Sequence, residues 1–275
     1  MNDDSPGNRA GLPQWTARRA RRLAADGETE LSVAVAEEVP VAMVFNGTSH
    51  AVMIATPADL EDFGLGFALS EGIVAARAEM LDCETARVGD SLEIKMTITQ
   101  RRFAALAERR RTLAGRTGCG LCGVDSLSQV VRPVASVAAG VAVTPSAIHR
   151  ALDGLGGRQA LNVATGAVHA AAFVAVDGTI GFVREDVGRH NALDKLLGAL
   201  AREGRDAAQG FVLLTSRCSF EMVQKAATCG VGLLVAISAP TGLALRLAEQ
   251  CGMTVVALAR PDSMTVHTHP QRILG

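Results

Sequence analysis

Alternation of apolar and polar positions is clearest over residues 91–99, where Leu92, Ile94, Met96 and Ile98 share one face and predict a half-buried strand. Two β-rich apolar runs, 39–45 and 50–55, flank Asn46-Gly47. Both turn residues tolerate positive φ, so this reads as a hairpin closed by a type I′ turn. Thr56-Pro57 then predicts a helix start, with Thr56 as N-cap, Pro57 at the first helical position and Asp59 placed as in a capping box. The helix continues through Phe63, Phe67 and Leu69 to about Gly72, and a basic helix follows the strand from about Gln100 to Leu113.

The second half has a different rhythm. Residues 170–176 and 179–184 flank Asp177-Gly178, a second hairpin signal, and a helix containing Ala192, Leu193, Leu196, Leu197 and Leu200 follows. Strand 211–215 leads to helix 220–229, with Ser219 as N-cap. Strand 233–238 leads to helix 242–250, and strand 254–259 closes the series. Strands alternating with helices of about ten residues imply parallel βαβ units. The expected fold is therefore α/β, with a smaller α+β subdomain over 29–115 and an α/β domain over 130–275. Between them, 116–129 is rich in glycine without a period and reads as a flexible loop. Residues 1–28 are polar and aperiodic and read as a mobile tail, with Trp15 and the patch Arg18, Arg19, Arg21 and Arg22.

Composition narrows the function. The 275 residues are 48% hydrophobic and 20% charged, with a net charge of −1. That excludes a globally basic nucleic-acid binder. Nine aromatic residues, with no Tyr, leave no platform for stacking bases. Six cysteines in a chain of this length fit a reducing compartment better than a disulfide scaffold. No apolar leader is visible and the longest uncharged window, between Lys225 and Arg246, is broken by glycines and Pro240. The expected location is the cytoplasm, with no membrane span.

Candidate chemistry lies first at the strand exits. Thr215 is followed by Ser216-Arg217-Cys218-Ser219, Ser238 by Ala239-Pro240-Thr241, and Ala259 by Arg260-Pro261-Asp262-Ser263. Parallel strands place these exits on one edge, where open α/β sheets bind ligands. Helix N-termini with arginines and hydroxyls make an anion site. The polar run Arg184–Lys195 leaves another strand; Arg189 and His190 extend the anion site, or Glu185, Asp186 and His190 hold a metal.

The second candidate is Cys119-Gly-Leu-Cys122, flanked by Gly118 and Gly123. A zinc half-site, a redox pair and a nucleophilic thiolate on a mobile arm remain open. Six arginines against Glu108 alone give residues 101–116 a charge of +5, which favours thiolate. His169 starts a stretch like that of the zinc nucleobase deaminases, but Ala171 stands where their Glu belongs and no Pro-Cys-x-x-Cys follows. Cys83, Cys218, Cys229 and Cys251 read as structural.

Taken in order, these segments resemble the FdhD/NarQ family of formate dehydrogenase accessory sulfurtransferases. The resembling stretches are 38–47, 55–63, Ser70-Glu-Gly72, Cys119-Gly-Leu-Cys-Gly123, 166–171, 184–195, Ser216-Arg-Cys-Ser-Phe-Glu221 and Ser238-Ala-Pro-Thr241, together covering roughly 30–270. The resemblance implies a cytidine-deaminase-like three-layer fold in the C-terminal half, without deaminase chemistry, and a homodimer. It implies a sulfur carrier that accepts persulfide sulfur from a cysteine desulfurase. That sulfur passes to a molybdenum bis(molybdopterin guanine dinucleotide) cofactor required by formate dehydrogenase. By that analogy Cys119 carries the persulfide with Cys122 assisting, and the loop swings it to the strand-exit crevice. The family's nucleotide segment falls on Leu258, Ala259, Arg260, Pro261, Asp262 and Ser263, joined by Ser216, Arg217, Ser238, Arg189 and His190. Two other functions stay open: a scaffold that only delivers the cofactor, and a thiol–disulfide oxidoreductase.

Overall fold

The computed structural model describes residues 11–114, 134–137 and 140–275. The chain starts with a two-stranded antiparallel ribbon, β1 (Trp15–Ala24) and β2 (Gly27–Ala36), paired along its whole length. This corrects the expected tail over 1–28: from Trp15 onward the arginines sit on a strand. The ladder with β2 overrides a composition that looked like a solvated leader. Residues 1–10 lie outside the described set.

β3 (Val39–Phe45) and β4 (Thr48–Ala55) form the expected hairpin, and Asn46 and Gly47 have φ of 46° and 79° as a type I′ turn demands. β5 (Met80–Val88) and β6 (Ser91–Ile98) complete a four-stranded sheet of order β4-β3-β6-β5, in which β3 and β6 run parallel. The inward set Val41, Met43 and Phe45 meets Leu92, Ile94, Met96 and Ile98 beneath α1 (Leu60–Ser70), which contributes Leu60 and Phe63. α2 (Gln100–Ala114) adds Phe103 and Leu106 to the same cluster.

The helix start expected at Thr56 moves to Leu60. Asp59 takes the left-handed conformation and gives no side-chain cap. Thr56 is consumed elsewhere: its N–H donates to Asp186 (3.0 Å) and its hydroxyl accepts from the N–H of Val187 (3.2 Å).

α3 (Pro145–Leu155) and α4 (Ala160–Thr165) precede a six-stranded sheet of order β12-β11-β10-β9-β7-β8. Its strands are β7 (His169–Ala175), β8 (Ile180–Asp186), β9 (Gly210–Leu214), β10 (Leu233–Ala236), β11 (Thr254–Ala257) and β12 (Thr265–Thr268). β9, β10 and β11 are parallel as expected, while β7 and β12 run antiparallel to their neighbours. The β7–β8 hairpin closes through a longer turn than Asp177-Gly178 suggested. Gly178 N–H bonds to Ala175 O, and only Gly178 has positive φ. One face of this sheet packs on α5 (Arg189–Arg202), α6 (Phe220–Thr228) and α7 (Gly242–Cys251), the other on α3. The C-terminal half is thus a three-layer α/β/α domain with parallel βαβ units. Among the described residues no helix is long and apolar enough to cross a membrane.

α5 joins the two halves. It is buried from Asn191 to Leu200, and it crosses α1 with Gly198 against Gly66. A Cβ at Gly66 would lie 1.7 Å from Asp194 O, and one at Gly198 1.8 Å from Asp62 O, so neither position has room for a side chain.

Candidate functional site

Because β8 runs antiparallel to β7, and β7 to β9, the carboxyl ends of β8, β9, β10 and β11 share one edge of the sheet. α5, α6 and α7 all begin there. The exit loops are bonded to one another as a continuation of the ladder. Cys218 N–H donates to Ala239 O (3.2 Å), Thr241 N–H to Cys218 O (3.0 Å), and Leu258 N–H to Ser238 O (3.2 Å). On the other side Thr215 binds Ala170 through both its N–H and its hydroxyl, which places His169 beside the same edge. The structure therefore brings the expected Arg189, His190, Ser216, Arg217, Ser238 and Leu258–Ser263 together into one wall.

Their roles within the wall differ. Arg217 is exposed and has no ion-pair partner among the described residues. Arg189 holds its Nε buried without a hydrogen-bond partner. Arg260 folds back, its guanidinium donating to the carbonyls of Ile237 and Ala259 (3.1 Å to the latter). The 258–263 turn is fixed by Leu258 in the left-handed region, φ 52°, and by Arg260 N–H donating to Ser263 O at 2.7 Å. Ser216 is buried and its hydroxyl donates to Arg217 O, so it shapes the loop from within.

Glu221 was missed in the sequence. Its Oε2 lies 2.9 Å from His190 Nε2 and receives Ser219 Oγ at 3.4 Å. This pair ties the start of α6 to the start of α5. Burial and the nearby Arg189 guanidinium push the imidazole of His169 down, which keeps it neutral.

The three candidate metal ligands do not converge. Glu185 accepts from the N–H groups of Leu161 and Asn162, both at 2.9 Å, capping α4. Asp186 pairs with Lys195 at 2.7 Å, both fully buried, and His190 turns to Glu221. The physical reason is that each acid meets a nearer charge or helix N-terminus before it can face the others.

The thiols separate cleanly. Burial pushes Cys83, Cys218 and Cys229 up to about 12, and it raises Cys251 as well. All four are held as protonated thiols, as expected of structural cysteines. Cys119 and Cys122 lie outside the described residues. Of the arginines counted before them, Arg101 and Arg102 are both paired with Glu79 at 2.6 Å, and Arg109 donates to Glu71 O. The positive charge expected ahead of the cysteines is therefore partly neutralised. After them, Val137 N–H donates to Cys251 O, at the end of α7 and away from the strand exits.

Comparison with known proteins follows the same lines. Residues 36–274 match the model of the FdhD/NarQ family. A protein of Cupriavidus necator named sulfur carrier protein FdhD is 54% identical over 239 residues, covering 87% of this chain and 83% of its own. A protein of the same name from Xanthomonas euvesicatoria pv. vesicatoria is 48% identical over 271 residues, covering 98% and 96%. In fold, the chain is similar to a crystal structure from Desulfotalea psychrophila described as a formate dehydrogenase accessory protein. The TM-score is 0.76 at 24% identity, over 95% of this chain and all of that one.

Proposed function

Because the chain belongs to the FdhD/NarQ family, we propose that it is a cytoplasmic sulfur carrier serving formate dehydrogenase, and that it works as a sulfurtransferase. Cys119 is the carrier thiol. Its thiolate attacks the terminal sulfur of a cysteine desulfurase persulfide, forming Cys119–S–SH and releasing the donor's own cysteine thiolate. The protonated state of the four described thiols supports this assignment, since none of them supplies a thiolate near neutral pH.

The cargo is the sulfurated molybdenum cofactor, bis(molybdopterin guanine dinucleotide), held as substrate at the strand edge. The observation that carries this reading is the convergence of three helix N-termini with Arg189 and Arg217 on one wall. Pyrophosphate oxygens suit backbone N–H groups at helix starts and guanidinium donors. The buried, unpartnered Nε of Arg189 is a donor left over for such an oxygen. In this reading the nucleotide end rests against the turn 258–263, where Asp262 and Ser263 are exposed.

The deciding experiment incubates the full chain with a cysteine desulfurase and cysteine, then weighs the intact protein and its 117–123 peptide. One added sulfur on the peptide, lost on mild reduction and absent from Cys119→Ala, is the expected result. Guanosine diphosphate binding without any gain of sulfur would instead favour a scaffold that only delivers cofactor. A reversible Cys119–Cys122 disulfide with turnover in a disulfide-reduction assay would favour an oxidoreductase.

A further inference from the structure

At the other end of the helices from the strand exits, a cleft of about 550 Å³ opens between the two halves of the molecule. Its floor is apolar: Leu69 from the end of α1, Val74 from the loop that follows, and Leu197 and Leu200 from α5. Arg77 and Arg205 stand in its wall, one from each half. Both are exposed, and among the described residues neither has an ion-pair partner. The nearest acid in the lining, Asp206, is already engaged, accepting from the N–H of Ala208 at 2.9 Å and from the Gln209 side chain. The helix C-termini around the cleft are also closed: Glu71 N–H returns to Leu69 and Phe67, Arg205 N–H to Leu200 O, and Val231 N–H to Ala226 O. Few free carbonyls therefore offset the two guanidinium groups.

We propose that this cleft is a binding site for a small amphiphilic monoanion, a carboxylate with a medium-length hydrocarbon or aromatic tail. The volume falls within the range of about 300–1,000 Å³ usual for ligand pockets, and a boundary between two halves of a chain is where such sites concentrate. The tail lies on the leucines and Val74. The head stays near the mouth, where Arg77 and Arg205 provide the donors that a carboxylate accepts from. A neutral ligand leaves both guanidinium groups without use, and a cation meets two like charges. Cys229, also in the lining, is held as a neutral thiol and adds no charge to the wall. This site is drawn from none of the residues assigned to the sulfur chemistry and stands whether or not that reading holds.

The test is calorimetric titration of the full chain with octanoate and, separately, octan-1-ol. Octanoate is expected to bind saturably at one site per chain, with octan-1-ol at least about tenfold weaker for want of the charged head. Arg77→Ala and Arg205→Ala should each weaken octanoate by about tenfold on the same grounds. Ala76→Trp, at an exposed extended position in the lining, should abolish it. Thermal unfolding of each variant serves as the fold control, and the two arginine variants decide alone if Ala76→Trp does not fold. Absence of saturable binding would overturn the proposal. So would binding that neither arginine variant weakens, or equal affinity for octan-1-ol.

Discussion

Arg217 is exposed at the strand edge and spends none of its donors on the described residues, whereas Arg260 is folded onto the carbonyls of Ile237 and Ala259. The two therefore differ in what substitution does. Arg217→Ala should weaken guanosine diphosphate binding by about tenfold, the value of a charge-assisted hydrogen bond, while leaving the melting temperature unchanged. Arg260→Ala should lower both, because the turn loses the guanidinium bonds that tie it to Ile237 O and Ala259 O. Titration calorimetry beside thermal unfolding separates the two effects. A different residue, Glu79, sets a pH dependence. Its carboxylate is lowered to about 2 by the N–H of Ala75 and by Arg102 and Arg101. A folded pKa below the unfolded one adds stability that is complete above about 4.5 and lost as pH falls toward 2. Melting curves of Glu79→Gln should thus lie below those of the unsubstituted protein at pH 7 and converge with them near pH 2. A constant gap across that window would contradict the assignment.

Among the elements, the crossing of α1 and α5 is the least forgiving. Gly66 and Gly198 meet backbone to backbone, so an added methyl has no side chain to displace and must push the helices apart. Gly66→Ala should cost about 3 kcal/mol or more, the upper end of overpacking penalties, measured by urea unfolding. Gly154→Ala in α3, whose nearest neighbour would be the end of Ile180 at 3.6 Å, should cost nothing of that kind. This crossing was not legible in the sequence, because nothing in the apolar spacing of either helix names its partner. What local chemistry dictates was legible: the Asn46-Gly47 hairpin, the alternating β6, and the βα rhythm from β9 to β11. What tertiary contact dictates was not. Thr56 looked like an N-cap until Asp186, 130 residues on, took its N–H. β1 looked like a leader because its arginines mask a strand whose sheet partner among the described residues is β2. The strand edge was found because parallel strands place their exits together. Glu221 was overlooked because its partner His190 sits on another helix, at a distance that no sequence period encodes.

Across the whole molecule, charges that would be costly alone hold the two halves in register. Asp186 and Lys195 pair at 2.7 Å with both side chains fully buried, and Lys195 also donates to Thr56 O. Asp194 accepts from Ser70 (2.6 Å) and from Lys225, which reaches Glu71 as well. Asp62 on α1 takes Arg184 of β8 and Arg202 of α5 at 2.7 and 2.9 Å. Each network reaches the N-terminal half, through Thr56 in the first, Ser70 and Glu71 in the second and Asp62 in the third, so a shift of the halves would cost every one of these buried charges a partner. This predicts a single cooperative unfolding transition rather than two. It also predicts a specific pattern of substitution. Removing Lys195 alone, as Lys195→Met, leaves Asp186 buried without its counter-charge and should cost about 3–5 kcal/mol. Removing both, as Asp186→Asn with Lys195→Met, should cost clearly less than the sum of the single changes, because the stranded charge is gone. Denaturant unfolding of the four proteins in that cycle measures the coupling. Additive costs would mean that packing, not this charge pair, sets α5 against the end of β8. A double change costing far less than the sum would place the register of the strand edge, whose first wall is built on Asp186 and the start of α5, under control of a pair buried entirely beneath it.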